Sequence, residues 1–249
     1  MIRSAKRLVR KVGLALAERP HIRSFYGPDI LRRSVDKTYN FCRTGEYGTF
    51  LSDLLERQSS DFVFLDIGAN IGIYSLIAAR NPHCRRIFAF EPIPSTFKYL
   101  VGNIELNAAV NVVPICGALT ATAEPPILPM SFSASHSGVS QIVDRGSEAS
   151  IYAIALTAAH LDELLSGIDR LPLFVKIDVE GAELSVLQAL RSSTKFGQVE
   201  QMVVEVSSAD HVGADQPERI TTALIRDGFT EKSRYQHPGW AHYDALFVR

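Results

Sequence analysis

Five short runs along the chain are apolar without alternation, and each carries an acid or a glycine at or near its end: FVFLDIG (62–68), RRIFAFE (85–91), NVVPICGAL (111–119), LFVKIDVEG (173–181) and QMVVEV (201–206). Continuous apolar runs of this length fit strands buried on both faces, as in a parallel sheet covered by helices. Between them lie the helix-like stretches IGIYSLIAARN, STFKYLVGNIELN and AELSVLQALRSS. Alternating strand and helix predicts a doubly wound α/β sheet. Ser95 is the expected N-cap of the second helix, and Asn107 is read as its C-cap.

Two pieces break the alternation. Residues 120–150 are rich in Ser, Ala, Pro and Gly and read as a long loop or insert, which in a compact domain is usually functional or disordered. FTEKSRY (229–235) and YDALFVR (243–249), joined by QHPGWAH, read as a closing antiparallel hairpin. With 249 residues and 46% apolar composition the chain can bury a full core. The expected organisation is a basic N-terminal helical extension over 1–40 followed by one large domain over 41–249.

Charge sharpens that division. The first 33 residues carry nine Lys/Arg against Glu18 and Asp29, a net +7, so the remainder carries −8 of a total of −1. In MIRSAKRLVRKVGLALAERP apolar residues recur at roughly helical spacing between the basic ones. Such a helix can lie on a membrane surface or dock on its own domain, and docking is the favoured reading. VGLALA is too short for a signal-peptide core or a bilayer span, so a cytoplasmic location is expected. Cys42, Cys84 and Cys116 lack metal-like spacing and fit reduced thiols.

Ligands of open α/β sheets sit outside the carboxyl ends of the strands. Here Asp66, Glu91, Asp178 and Glu205 close expected strands, which suits a ligand carrying positive charge better than a phosphate. The turn Gly68-Ala69-Asn70-Ile71-Gly72 has no P-loop lysine, which excludes a triphosphate. Asn70 stands where a dinucleotide fold needs its second glycine and would crowd a pyrophosphate. Glu91, 23 residues after Gly68, is close to the offset at which an acid grips ribose hydroxyls, in either a nicotinamide or an adenosyl cofactor. An acid inside the turn, Asp66, would repel pyrophosphate and attract the ammonium and sulfonium of S-adenosylmethionine, which is the favoured cofactor.

FLDIGANIGIYSL, FAFEPIPSTFKYLVGNIELN, HLDELL and FVKIDVEGAELSVLQAL, in that order, resemble the successive motifs of the FkbM family of S-adenosylmethionine-dependent methyltransferases, from about residue 45 to the C-terminus. The resemblance implies a class I methyltransferase (Rossmann-like) sheet of seven strands, mostly parallel, with the last strand antiparallel. It also implies O-methylation of a hydroxyl on a small-molecule, glycan or glycolipid acceptor.

On that reading Gly68, Ala69, Asn70 and Gly72 let the backbone approach the cofactor's methionine part, and Asp66 meets its ammonium. Glu91 takes the ribose hydroxyls, since one carboxylate accepts two donors. Pro92 and Ile93 wall the adenine, and Cys116, Gly117 and Ala118 border it. Asp178 and Glu180, beside the transferred methyl, are the catalytic candidates, with Asp178 positioning or deprotonating the acceptor and Lys176 supporting it, and Asp178 is also counted among the cofactor contacts. His136 in the Ser-rich insert is a further candidate base, weighed against an ordinary exposed loop histidine. His160 adds no role. Asp178 with Glu205 could hold a hard cation, but two acids make a poor signature and no metal is expected. The competing readings are an RNA or protein methyltransferase, a non-catalytic adenosyl-binding module and a nicotinamide oxidoreductase. The acidic main domain opposes nucleic acid, which needs clustered Lys/Arg.

Overall fold

The computed structural model describes residues 20–143, 149–168, 170–207 and 216–249. They begin with an antiparallel pair, β1 (His21–Arg23) and β2 (Asp29–Leu31), followed by α1 (Lys37–Thr44) and α2 (Phe50–Glu56). Alternation then sets in: β3 (Phe62–Ile67), α3 (Ile73–Ala79), β4 (Cys84–Phe90), α4 (Pro94–Leu106) and β5 (Val112–Ile115). Next come β6 (Ala118–Leu119), β7 (Ile127–Ser131), β8 (Gln141–Ile142) and β9 (Ile151–Leu156), then α5 (Ala158–Leu164), β10 (Leu173–Ile177) and α6 (Glu183–Ser192). The chain closes with β11 (Val199–Ser207), α7 (Gln216–Arg226), β12 (Thr230–Gln236) and β13 (His242–Val248).

Seven strands form the central sheet in the order β12-β13-β11-β10-β3-β4-β5. Its β5-β4-β3-β10-β11 pairings are parallel, and β13 runs antiparallel to both β11 and β12. This is the class I methyltransferase topology, with the expected terminal hairpin supplying the reversed strand. The continuous apolarity of the strands follows from coverage on both faces. All six residues of β3 are buried. Val63, Leu65 and Ile67 join one core with Leu161, Val186, Leu187 and Leu224, while Phe64 joins the other with Leu55, Leu76 and Leu100. Each such side chain removed from water contributes on the order of 1.5–3 kcal/mol.

Four expectations change. NVVPICGAL is split between two sheets, β5 belonging to the central one and β6 to a second of order β6-β9-β7-β8. That second sheet also takes up much of 120–150, read from the sequence as a loop. Leu128 and Met130 of β7 face Ala153 and Ile151 of β9 across an antiparallel ladder. Pro129 inside β7 disguises it as loop, and its pairing partner lies more than twenty residues away. The helix α4 begins at Pro94 rather than after a Ser95 cap; Ile93 holds the cap position without a side-chain bond, and the proline's fixed φ suits the first turn. His160 has a structural role, its Nδ1 accepting from Thr157 N at 3.1 Å to start α5.

The N-terminal segment is only partly described. Residues 1–19, where the basic helix is expected, lie outside the described residues. Between 20 and 40 the chain forms the β1–β2 hairpin, and position 40 falls inside α1. Asn103 and Asn107 of α4 hold that hairpin: Leu31 N donates to Asn103 Oδ1 at 2.7 Å, and Asn107 bonds both the N–H and the carbonyl of Asp29. Asn107 thus occupies the expected C-cap position and does a second job. Asp36 fastens the insert. It caps α1, pairs with Arg33 at 3.1 Å, and accepts both the N–H and the hydroxyl of Ser137, all in a buried setting. All three cysteines are free. No helix among the described residues is long and apolar enough to cross a membrane.

Candidate active site

A cavity of about 550 Å³ opens at the carboxyl ends of β3, β4, β10 and β11, within the usual range for small-molecule sites. The β3–α3 turn forms its floor. At Gly68, φ is +82°, and a Cβ there would lie 1.8 Å from the backbone oxygen of Asp178, so only glycine lets the turn cross the end of β10. Asn103 Nδ2 donates to Ile71 O at 2.8 Å and ties the same turn to α4.

Glu91, at the end of β4, is buried and receives one backbone donor on each oxygen: Asn70 N on Oε2 at 3.0 Å and Ile93 N on Oε1 at 2.8 Å. Each oxygen retains capacity for a further donor. Burial pushes its pKa up to about 7 despite those two bonds. A buried carboxylate with unused acceptor capacity at this strand end fits the ribose hydroxyls of an adenosyl cofactor. Ala69, Pro92, Ile93, Gly117 and Ala118 line the same cavity. Asn70 does more than crowd the turn: its backbone carries one of the Glu91 bonds, and its Oδ1 accepts from Ser137 Oγ at 3.0 Å, so the insert is latched onto the turn.

Three expected cofactor contacts lie off the cavity. Cys116 is not among the lining residues, and Gly72 packs under α4, with Leu100 2.4 Å from where its Cβ would be. Asp66 is fully buried behind the wall. It sits opposite Lys176 in the parallel β3–β10 register, so both side chains leave the same face. Ser75 Oγ donates to Asp66 Oδ2 at 2.6 Å, and Lys176 Nζ lies 3.4 Å from Oδ1. Its charge is answered inside the protein, by Lys176 and Ser75, behind the residues that line the cavity.

Lys176 is the hub that the sequence understated. Buried at the centre of the site, its Nζ also donates to Gly68 O at 2.7 Å and lies 3.2 Å from Asp178 Oδ2 and 5.6 Å from the ring centre of Tyr74. Burial opposes its charge, yet Asp178 and Asp66 together hold its pKa above the ordinary lysine value. Asp178, whose side chain is 35% exposed, faces the cavity beside it.

Around Asp178 the fold gathers acids. Asp178, Glu180 and Glu205 offer carboxylate oxygens all within 4.8 Å of one another, so Glu180 joins the pair that the sequence suggested. Burial and the Asp178 charge push Glu180 up to about 8 and Glu205 well above the carboxylate range. Retained protons relieve this crowding, as expected when like charges share a site. The acids alone do not assign a cation.

Sequence reasoning missed the opposite wall. His242 Nε2, on the closing hairpin, lies 3.1 Å from Glu205 Oε1 of β11, and His237 Nε2 lies 3.1 Å from Asp244 Oδ2 within the hairpin. Phe41, Tyr47 and Trp240 line the cavity next to them. The alternation of the hairpin could have pointed to His242 and Asp244, but their partners are set by tertiary contact. His136 is half-buried and lines the cavity edge-on to Phe41, so it is not an ordinary exposed loop histidine; burial and Lys37 depress its pKa.

The model of the Methyltransferase FkbM domain matches residues 66–231 of the chain. Hexuronic acid methyltransferase AglP of Haloferax volcanii is 32% identical over 173 residues, which cover 69% of this chain and 64% of that protein. Methyltransferase sdnD of Sordaria araneosa is 29% identical over 169 residues, covering 55% of this chain and 63% of that one. The chain thus spans slightly less than two thirds of the length of these curated relatives. Among solved structures, M. jannaschii TYW2 in complex with AdoMet shares 16% identity, with a TM-score of 0.49 over 93% of this chain and 88% of that one.

Proposed function

Because the chain belongs to the FkbM family of S-adenosylmethionine-dependent methyltransferases, we propose that it carries out O-methylation of a sugar hydroxyl. The observation that carries this reading is that Glu91 and Asp178, the cofactor-ribose and acceptor-side acids, line one cavity at the carboxyl edge of the sheet. The name of AglP, which acts on a hexuronic acid, supports a sugar as acceptor class. The bound cofactor supplies an electrophilic methyl group.

The remaining work belongs to the chain. Glu91 accepts the ribose hydroxyls, and the glycine turn admits the methionine part along the backbone. Asp178 takes the hydrogen bond of the acceptor hydroxyl and then its proton; Lys176, at 3.2 Å, fixes that carboxylate's direction. Alignment of this kind supplies roughly 7–11 kcal/mol of barrier reduction, and proton removal about 10²–10⁴ in rate. Glu180 and His136 stand at the cavity wall as shaping residues.

Calorimetric titration of the purified chain with S-adenosylmethionine and S-adenosylhomocysteine, with NAD as control, tests the cofactor half. Both adenosyl ligands should bind and NAD should not; binding of NAD alone would sink the reading. The same titration has a pH signature. Glu91, with its pKa near 7, must be ionised to accept both hydroxyls. Ionising it costs the empty fold stability as pH rises from the unfolded value of 4.5 towards 7, and the bound ribose offsets that cost. Affinity for S-adenosylhomocysteine should therefore fall by up to about tenfold between pH 8 and pH 6. Glu91→Gln should bind weakly and show no such slope.

A further inference from the structure

Methyl transfer to a hydroxyl leaves one proton behind at every turnover, and the closing strands of the sheet hold a row of groups able to carry it. Asp178 and Glu205 come next after the Ile177–Val204 pair of the adjacent parallel strands β10 and β11, and Asp244 stands opposite Glu205 on β13. Residues paired in this way project from one face of the sheet, and all three carboxyls line the cavity. Oxygens of Asp178 and Glu205 lie within 4.8 Å of one another, with Glu180 as the third member of that group. Two histidines end the row. His237 Nε2 meets Asp244, but its side chain is only 4% exposed, so that branch stops inside the protein. His242 Nε2 lies 3.1 Å from Glu205 Oε1, and its side chain is 24% exposed.

Glu205 and His242 are otherwise unused. Glu205 Oε2 and His242 Nε2 are buried atoms without a hydrogen-bond partner, so this end of the row has capacity left to give and to take a proton. Burial and the Asp178 charge favour a proton on Glu205, and Asp178 and Glu205 then titrate as a pair holding one proton between them. An acceptor's proton delivered to Asp178 would leave both carboxyls protonated and the base spent. The groups facing His242 are Glu205 of β11, Asp178 of β10, and His237 and Asp244 of the hairpin. Burial and His237 lower its pKa, while the two aspartates raise it, and the net effect is downward, towards a neutral imidazole free to accept.

Resting on the reading of Asp178 as the acceptor's base, we propose that Glu205 and His242 form the exit for the transferred proton, with His242 handing it to water. The acceptor O–H bond breaks as the methyl group leaves sulfur and bonds to oxygen, and the proton passes to Asp178. Glu205 gives its own proton to His242 Nε2 and takes the one held by Asp178. The imidazolium, on the solvent side of the row, releases its proton and becomes neutral again. Charge balances, since one proton is released for each sulfonium charge lost, and the carboxyl pair returns to a single shared proton. Glu205 and His242 act through Asp178, which is the group that meets the acceptor.

Nitrogen NMR of the full chain, with isotope-labelled histidine and saturated with S-adenosylhomocysteine, tests the exit without an acceptor. Near neutral pH, His242 Nε2 should give the signal of an unprotonated ring nitrogen, and Glu205→Gln should move it. A proton resident on Nε2 in that complex overturns the proposal, as does a signal indifferent to Glu205→Gln. Turnover with a methyl glycoside as acceptor tests the step itself. His242→Ala should lower steady-state turnover by about 10²-fold, and added imidazole should restore part of it, because the site is open to solvent. The double variant with Glu205→Gln should be about as slow as His242→Ala alone and should not respond to imidazole. Normal turnover by His242→Ala, absence of rescue, or rescue that does not need Glu205 overturns the proposal; a purely structural His242 predicts no rescue. Failure of S-adenosylhomocysteine to bind removes the reading beneath. If it binds but no methyl glycoside is turned over by the unaltered chain, the sugar acceptor falls and the nitrogen signal alone decides.

Discussion

Asp178→Asn is expected to lower the rate of methyl transfer by about 10²–10⁴-fold while S-adenosylhomocysteine affinity stays within about threefold, a change of under about 0.7 kcal/mol. Asparagine keeps the size of the residue and much of its hydrogen bonding, so the 3.2 Å contact from Lys176 survives as an ammonium–amide bond. What it loses is the ability to take the acceptor's proton. The change also removes a charge from beside Glu180 and Glu205, whose pKa values that charge helps to raise, so both should titrate lower in the variant. The rate is measured in single turnover with a methyl glycoside as acceptor, and the affinity by calorimetry. Normal turnover would make Asp178 structural and move proton removal elsewhere on the wall. A parallel loss of cofactor binding would place Asp178 on the cofactor instead.

The parts of this site legible in the sequence are those that follow from local order. Continuous apolar runs gave the strands of the central sheet, because every residue of β3 and β10 is buried between two helical layers. Gly68 and Glu91 stand at offsets fixed by one strand-turn-helix unit, and both reach the cavity. Asp66 is a different case. Its position in the turn is local, but its charge is answered by Lys176, 110 positions along the chain and adjacent only through β3–β10 pairing. The second sheet is hidden for the same reason, since β7 and β9 stabilise each other only by pairing across the insert. The aromatic and histidine wall combines α1, the turn before α2 and the closing hairpin, three pieces that no pattern along the chain connects.

Lys176→Met is expected to cost about 3–5 kcal/mol of folding stability, the usual penalty for removing one partner of a buried ion pair. Methionine fills much of the lysine's volume, so the loss comes from electrostatics rather than from a cavity. Asp66 is fully buried, and without Lys176 its Oδ2 keeps only the Ser75 hydroxyl while Oδ1 has no hydrogen-bond donor. The Gly68 carbonyl also loses its 2.7 Å donor, which loosens the turn that forms the cavity floor. Denaturant unfolding measures the cost, and the double variant with Asp66→Asn separates its causes. If the stranded Asp66 charge dominates, Asp66→Asn restores most of the stability in the Lys176→Met background while doing little good alone. If the double variant is no more stable than Lys176→Met, the lysine acts mainly through Gly68 O and Asp178. Either way, cofactor affinity in the double variant tests the placement of Asp66 behind the wall: an Asp66 that touched the cofactor's ammonium would lose binding even where stability returns.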